Sequence, residues 1–179
     1  IGFPRDGKFA NCNVPSEIKS TIDALVAKGI PVVASSGNSN NKNEIMFPAC
    51  LDNVISVGAT EFAYSKGSIS SENVANYSQS SKELDIVAPG SDIMATRPLA
   101  GNYSSVRGTS FATPIVTGSI ALLLQANPNL QVAQIRDLLV QTGDRVNDLK
   151  ARVSIPRINI MRAVGNIASG AIRFEDPRL

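Results

Sequence analysis

The sequence predicts an α/β fold with a largely parallel sheet flanked by helices. Short runs rich in β-branched residues lie between a predicted helix and two later helices, an element order typical of this class. The runs cover residues 30–35, 53–59 and 84–90, and each has the length and composition of a buried strand. Residues 91–96 predict a short fourth strand, and the Ser- and Asn-rich residues 65–81 predict a polar loop.

Apolar spacing predicts the first helix over residues 16–28. Its apolar positions recur at helical intervals, and Gly29 follows as a stop signal. Residues 113–125 predict a second helix, apolar on nearly every face and therefore buried, with Pro114 in its first turn.

A third helix follows, with one apolar face and Gly143 as its stop, and a short fourth helix is predicted over residues 158–164. The apolar face of the third helix comprises Val132, Ile135, Leu138 and Leu139.

Composition limits the function classes. The 179 residues suffice for one domain of ordinary size. The net charge of +2 comes from scattered Lys and Arg residues, so we expect no nucleic-acid partner. We also expect no membrane partner, because no run approaches 18 consecutive apolar residues. The sequence begins with Ile1 and not with Met, which suggests that it is a portion of a larger chain.

The stretch "RGTSFATP", residues 107–114, raises the main functional question. A hydroxyl residue before a helix is commonly an N-cap, and Thr109 or Ser110 could serve in this way. However, a buried helix directly behind Ser110 would point its positive dipole end and free N–H groups at that serine. Gly108 has no side chain that would block the approach to Ser110. This context favours Ser110 as a nucleophile for acyl transfer.

The segment "GTSFATP" resembles the nucleophile signature of the subtilisin-like serine proteases, or subtilases. Other segments resemble the family in the same order: "GIPVVASSGNSN", "FPACLDNVISVGAT", "VANYSQSSKELDIVAPGSDIMAT" and "IPRINIMRAV". The resemblance implies that residues 1–168 form the C-terminal portion of a subtilase catalytic domain, with a polar tail over residues 169–179. It implies polypeptide substrates and no required cofactor.

The resemblance also assigns roles to individual residues. Ser110 matches the nucleophile, and Asn38 matches the residue whose side-chain amide holds the oxyanion together with the Ser110 N–H. An amide donor can stabilise that charge without titrating. The alternative for Asn38 is a plain turn residue after a strand.

Further matches concern substrate binding. The resemblance places one wall of the pocket for the substrate residue before the scissile bond at Ser35, Ser36 and Gly37. It places the remains of the opposite wall at residues 1–3, which include Gly2. Met46 falls near the pocket floor, which predicts a preference for medium or large apolar side chains. Ordinary core filling is the alternative for Met46.

A general base is missing from this sequence. A serine hydroxyl needs one, the family order is Asp, His, Ser, and the chain contains no His. We expect little activity from the chain alone, and the missing N-terminal part of its own catalytic domain is an expected partner. The alternative is a catalytically dead module that binds extended peptides. A nucleotide-binding domain is disfavoured, because no glycine-rich phosphate motif is present.

The two cysteines fit no metal motif, so they are either separate thiols or one bridge. The subtilase fold would place the loops of Cys12 and Cys50 on one side, which makes a bridge feasible. A bridge would favour a secreted or extracytoplasmic protein. The resemblance also implies a weak, structural calcium site at the backbone carbonyls of Ala49, Leu51 and Val54.

Overall fold

The structure is a computed structural model that describes residue 12 and residues 16–65, 68–96 and 101–169. Predictions made for Gly2, for residues 1–3 and for the tail after Ser169 lie outside these residues. In chain order the elements are α1 (Ser16–Ala27), β1 (Val32–Ser35), β2 (Val54–Ser65), β3 (Ser68–Val74), β4 (Ile86–Pro89), β5 (Ile93–Thr96), β6 (Tyr103–Val106), α2 (Thr109–Ala126), α3 (Val132–Thr142), β7 (Asp144–Asp148), β8 (Val153–Arg157) and α4 (Ile160–Ser169).

The predicted α/β class is confirmed. The main sheet has the strand order β1-β2-β4-β8-β7, and β3 pairs with β2 beyond this path. The strands β1, β2, β4 and β8 run parallel, whereas β3 and β7 are antiparallel to their neighbours. The parallel strands correspond to the first three predicted runs, together with one strand that the sequence did not indicate.

The core lies on both faces of this sheet, because alternate strand residues point to opposite sides. On one face, Ile55, Val57 and Ala59 of β2 pack with residues of α2, α3 and α4. On the other face, Val54 packs with Ile22 of α1 and with a buried loop that includes residues 45–51. Helix α2 is therefore held against the centre of the sheet, where it contacts β1, β2 and β4.

Helix α2 differs from its prediction in two respects. It begins at Thr109 rather than at residue 113, so Pro114 lies inside the helix and not in its first turn. It is also buried on one side only, since Ile115 and Leu122 are 36% and 49% exposed. Its 18 residues and mean hydropathy of 1.3 would suffice for a membrane span by length and composition alone, but here the buried side packs on the sheet.

The predicted polar loop over residues 65–81 is wrong in its central part. Residues Ser68–Val74 form β3, which continues the long β2 as an antiparallel hairpin. Its sequence "SISSENV" has little apolar alternation and therefore did not predict a strand. Backbone hydrogen bonds to β2 hold it in place. The fourth predicted strand forms β5, but it pairs with β6 in a separate two-stranded sheet. The hairpin of β7 and β8 was not predicted.

The amphipathic helices agree with the sequence. Helix α1 ends at Ala27, and Gly29 follows it with φ 77, a conformation that glycine adopts without strain. Helix α3 buries the four predicted residues and carries a capping box between Gln131 and Gln134. Helix α4 starts two residues later than predicted and extends to Ser169.

A buried ion pair fastens the loop after β1 to the β7–β8 turn. Lys42 Nζ lies 3.2 Å from Asp148 Oδ2, and the two side chains are 11% and 3% exposed. Asp148 Oδ2 also accepts from Ser80 Oγ, and its Oδ1 accepts from two backbone N–H groups of the turn. Burial alone would raise the pKa of the Asp148 carboxyl. The hydrogen bonds from Ser80 and the turn, with the charge of Lys42, outweigh burial and lower that pKa.

We predict that Asp148→Asn lowers the free energy of unfolding by about 3 kcal/mol at neutral pH, because Lys42 loses its buried partner. A lowered carboxyl pKa contributes stability above its unfolded value of about 3.9, and this contribution disappears as pH falls through the folded pKa. The difference between variant and wild type should therefore shrink in acid. Chemical denaturation at several pH values measures it.

Asp23→Asn is the control, because Asp23 forms an exposed pair with Lys19 and its loss should change little. Equal stability of the Asp148→Asn variant and the wild type at neutral pH would contradict the role of the pair.

Candidate functional site

The candidate site lies where the parallel strands end. The carboxyl ends of parallel strands share one edge of a sheet and commonly hold the ligand site of an α/β protein. At this edge, the Gly90 N–H after β4 donates to the Thr60 carbonyl of β2 at 3.2 Å. The Gly108 N–H then donates to the Gly90 carbonyl at 2.8 Å. These bonds bring the start of α2 to the strand ends.

Ser110 is the second residue of α2 and does not cap the helix. The N-cap is Gly108, which makes no side-chain cap bond. As a first-turn residue, Ser110 has no intrahelical carbonyl partner for its N–H, and its side chain is exposed. An exposed hydroxyl and a free N–H thus lie together at the positive end of an 18-residue helix.

The carboxamide of Asn38 contacts the residue directly before Ser110. Its Oδ1 accepts from the Thr109 N–H and from Thr109 Oγ1, both at 2.9 Å. These two donors fix which end of the amide faces the helix, because only the oxygen can accept. The Nδ2 group is a donor that takes no part in these two bonds, so it remains available to a ligand. Asn38 itself is exposed.

Gly108 precedes this contact in a backbone conformation that other residues rarely adopt. A Cβ at this position would lie 3.4 Å from Asn38 Nδ2 and 3.6 Å from the Phe111 ring, and Gly108 has φ 152. These are ordinary contact distances, but a side chain would be strained by the backbone conformation. The turn before the nucleophile candidate therefore depends on glycine for its conformation.

The predicted pocket wall follows β1. Ser36 is fully buried: its Oγ donates to the Gln79 carbonyl at 2.7 Å, its N–H donates to the Val57 carbonyl, and its carbonyl accepts the Met46 N–H. Gly37 has φ 112, and a Cβ there would lie 2.8 Å from Met46 Cγ. Ser35, Gly37 and the partly buried Met46 thus lie together beside Asn38. Their roles in substrate binding stay predictions.

Cys12 and Cys50 form a disulfide with a Cα–Cα distance of 5.8 Å. The bridge spans 38 residues of sequence that include α1, β1 and Asn38. It ties the segment before α1 to the loop before β2.

The three carbonyl residues of the predicted calcium site line a common cavity of about 250 Å³, together with Asp85 and Arg136. Arg136 Nη2 donates to the Val54 carbonyl at 2.8 Å and to the Asp52 carbonyl at 2.5 Å. A fixed positive charge of the protein therefore already binds one predicted ligand. Among the described residues, no three Asp, Glu, His or Cys side chains converge on a metal position. Calcium at this cavity stays a prediction.

Comparison with known proteins identifies the class. A model of the subtilase family, peptidase S8, matches residues 10–156, so the chain belongs to this family. The chain is 38% identical to subtilisin DY of Bacillus licheniformis over 134 residues, which are 73% of this chain and 46% of that protein. It is 39% identical to subtilisin Savinase of Lederbergia lenta over 126 residues, 70% of this chain and 43% of the relative. It thus spans less than half of these relatives.

Solved structures agree on the fold. The prenylagaramide maturation protease PagA matches with a TM-score of 0.71 and 25% identity, over 88% of this chain and 58% of that one. Fervidolysin from Fervidobacterium pennivorans, a keratinolytic enzyme related to subtilisin, matches with a TM-score of 0.72 and 29% identity. That match covers 85% of this chain and 25% of fervidolysin.

Sequence reasoning missed the part played by Thr109. It was considered only as a helix cap, yet both its N–H and its hydroxyl bind Asn38 across 71 residues of sequence. The sequence did offer a signal, because Thr109 and Ser110 are adjacent hydroxyl residues and only one of them is needed as a nucleophile. The other is left for a different role.

We predict that Thr109→Val loosens the Asn38 amide and lowers the free energy of unfolding by about 1 kcal/mol, because one of two anchoring bonds is lost. The side-chain amide signals of Asn38 in ¹H–¹⁵N NMR spectra should broaden. Thr117→Val is the matched control, since that hydroxyl bonds only within α2, to the Thr113 carbonyl. Sharp, unshifted Asn38 signals in the Thr109→Val variant would disprove the anchoring role.

Proposed function

We propose that this chain is the nucleophile-bearing part of a serine endopeptidase that cleaves peptide bonds through an acyl-enzyme on Ser110. One observation carries the proposal: Thr109 holds the oxygen of the Asn38 amide, which leaves the amide donor beside an exposed serine at a helix N-terminus. Membership of the subtilase family supports the same chemistry.

In the proposed reaction, Ser110 Oγ attacks the scissile carbonyl carbon and gives its proton to a general base. The carbonyl oxygen becomes negatively charged, and Asn38 Nδ2 and the Ser110 N–H donate hydrogen bonds to it. The intermediate collapses to an ester on Ser110, and the base returns the proton to the departing amine. Water then hydrolyses the ester by the same steps in reverse order.

We place the base outside this chain, because the family uses a His and this chain has none. The family order places Asp and His before the serine, and the chain spans under half of its curated relatives. One structural feature supports a further neighbour: within the described residues, α2 exposes Ile115 and Leu122.

The absence of His also favours a second candidate, a catalytically dead subtilase-like module that binds extended peptides. The sequence of the full-length protein that contains this chain, called the parent below, discriminates the two candidates. Only the endopeptidase requires Asp and His motifs upstream of Ile1.

Two finer proposals concern substrate and location. Because Met46 lies close to Gly37, where a Cβ would stand 2.8 Å from Met46 Cγ, we propose polypeptide substrates with medium or large apolar side chains before the scissile bond. The Cys12–Cys50 disulfide supports a secreted or extracytoplasmic location, since such bonds persist in oxidising compartments.

We predict that the full-length parent protein reacts with a fluorophosphonate at Ser110, whereas the present chain alone reacts far more slowly for lack of a base. Asn38→Ala in the parent should slow peptide hydrolysis about 10²–10³-fold, the known effect of removing the oxyanion asparagine in subtilisin, a relative of this chain. Mass spectrometry of labelled peptides and steady-state kinetics measure both effects.

Ser110→Ala is the control that must abolish labelling. A parent that binds peptides but never reacts at Ser110 would favour the dead-module alternative. A parent that lacks the upstream Asp and His motifs would do the same.

A further inference from the structure

Tyr77 lies between the two segments that carry Asn38 and Ser110, and the proposed reaction does not use it. It follows β3 in a tight turn, in which the Ser78 N–H donates to the Ala75 carbonyl at 2.9 Å. Its side chain is partly buried. Its hydroxyl and its backbone carbonyl contact different parts of the candidate site.

The hydroxyl of Tyr77 contacts the segment that leads to Ser110. It donates to the Gly90 carbonyl at 2.7 Å and lies 2.9 Å from Ser91 Oγ. The same Gly90 carbonyl accepts the Gly108 N–H at 2.8 Å. The tyrosine and the helix N-cap therefore share one acceptor, and the position of that carbonyl fixes both.

The backbone carbonyl of Tyr77 contacts the loop that carries Asn38. It accepts the Asn40 N–H at 2.9 Å, two residues after Asn38. Asn40 has φ 58, a conformation that needs local support in a residue other than glycine. The ring of Tyr77 has a third contact: the Arg107 guanidinium lies 5.8 Å from its centre, a cation–π distance.

We propose that Tyr77 is a positioning residue that holds the Asn38 loop and the Gly108 turn in register, so that both oxyanion donors meet at one point. This role rests on the proposed function, because it concerns the alignment of the Asn38 amide with the Ser110 N–H. A tyrosine suits the role, since its rigid ring carries a donor at its far end and has only two side-chain torsions.

The hydroxyl keeps its proton under working conditions. Burial raises the Tyr77 pKa, and the hydrogen bond with Ser91 only partly offsets this effect. The phenol therefore remains a donor to Gly90 well into the alkaline range.

The test is Tyr77→Phe in the full-length parent, a change that removes one oxygen atom and keeps the ring. We expect kcat for peptide hydrolysis to fall about tenfold with little change in KM, because misaligned donors weaken binding of the transition state more than binding of the substrate. The second-order rate constant of fluorophosphonate labelling should fall similarly. Tyr103→Phe is the matched control, since that ring is 70% exposed.

A double-mutant cycle separates alignment from general destabilisation. If Tyr77 acts through the oxyanion donors, Tyr77→Phe should lose most of its kinetic effect in an Asn38→Ala background. Melting temperatures show that the assays are done on folded protein. Wild-type kcat in the Tyr77→Phe variant would overturn the proposal, as would effects that simply multiply with Asn38→Ala. A wild-type parent that neither labels nor hydrolyses would overturn the proposed function itself, and the tyrosine's role with it.

Discussion

The candidate site depends on the pair of hydrogen bonds between Thr109 and the Asn38 oxygen. Most helices satisfy their first N–H groups with a nearby N-cap side chain. Here the N-cap is a glycine, and the acceptor comes from a loop 71 residues earlier. The same contact therefore caps the core helix, closes the loop after β1 and orients an amide donor. Without it, the amide of the asparagine would lose its direct bonds to the helix that carries the serine.

This arrangement explains why glycine and buried polar groups cluster at the strand ends. Gly37 has φ 112 and leaves room for Met46 and Gln79, and Gly108 has φ 152, a conformation that other residues rarely adopt. Ser36 turns its hydroxyl inward to the Gln79 carbonyl. These positions let backbone segments approach one another closely at the strand ends.

The sequence was most informative where signals are local. Periodicity predicted α1 and α3 to within a few residues, and the segment from Gly108 to Pro114 indicated the family. It was least informative where partners are distant. Strand β3 has a polar sequence and exists because β2 extends beside it. The uniformly apolar α2 predicted full burial, but within the described part of this chain Leu122 is 49% exposed.

The side chains that fix the site geometry were invisible for the same reason. Lys42 reads as an ordinary loop lysine until Asp148 approaches it from 106 positions later in the sequence. Likewise, Tyr77 resembles any aromatic in a polar stretch until Gly90 and Gly108 are placed beside its hydroxyl. No local pattern distinguishes such residues, because their partners are brought together by the topology of the sheet.

The anchoring of Lys42 has a consequence for how this fold can vary. Residues 39–44 look like a surface loop, and surface loops usually tolerate extra or missing residues. In this protein the loop is pinned by the Lys42 side chain at Asp148 and by backbone bonds at Asn40 and Asn41. An insertion there would move either the lysine out of its enclosure or the amide away from the helix. Substitution can change its chemistry, but its length is constrained from both ends.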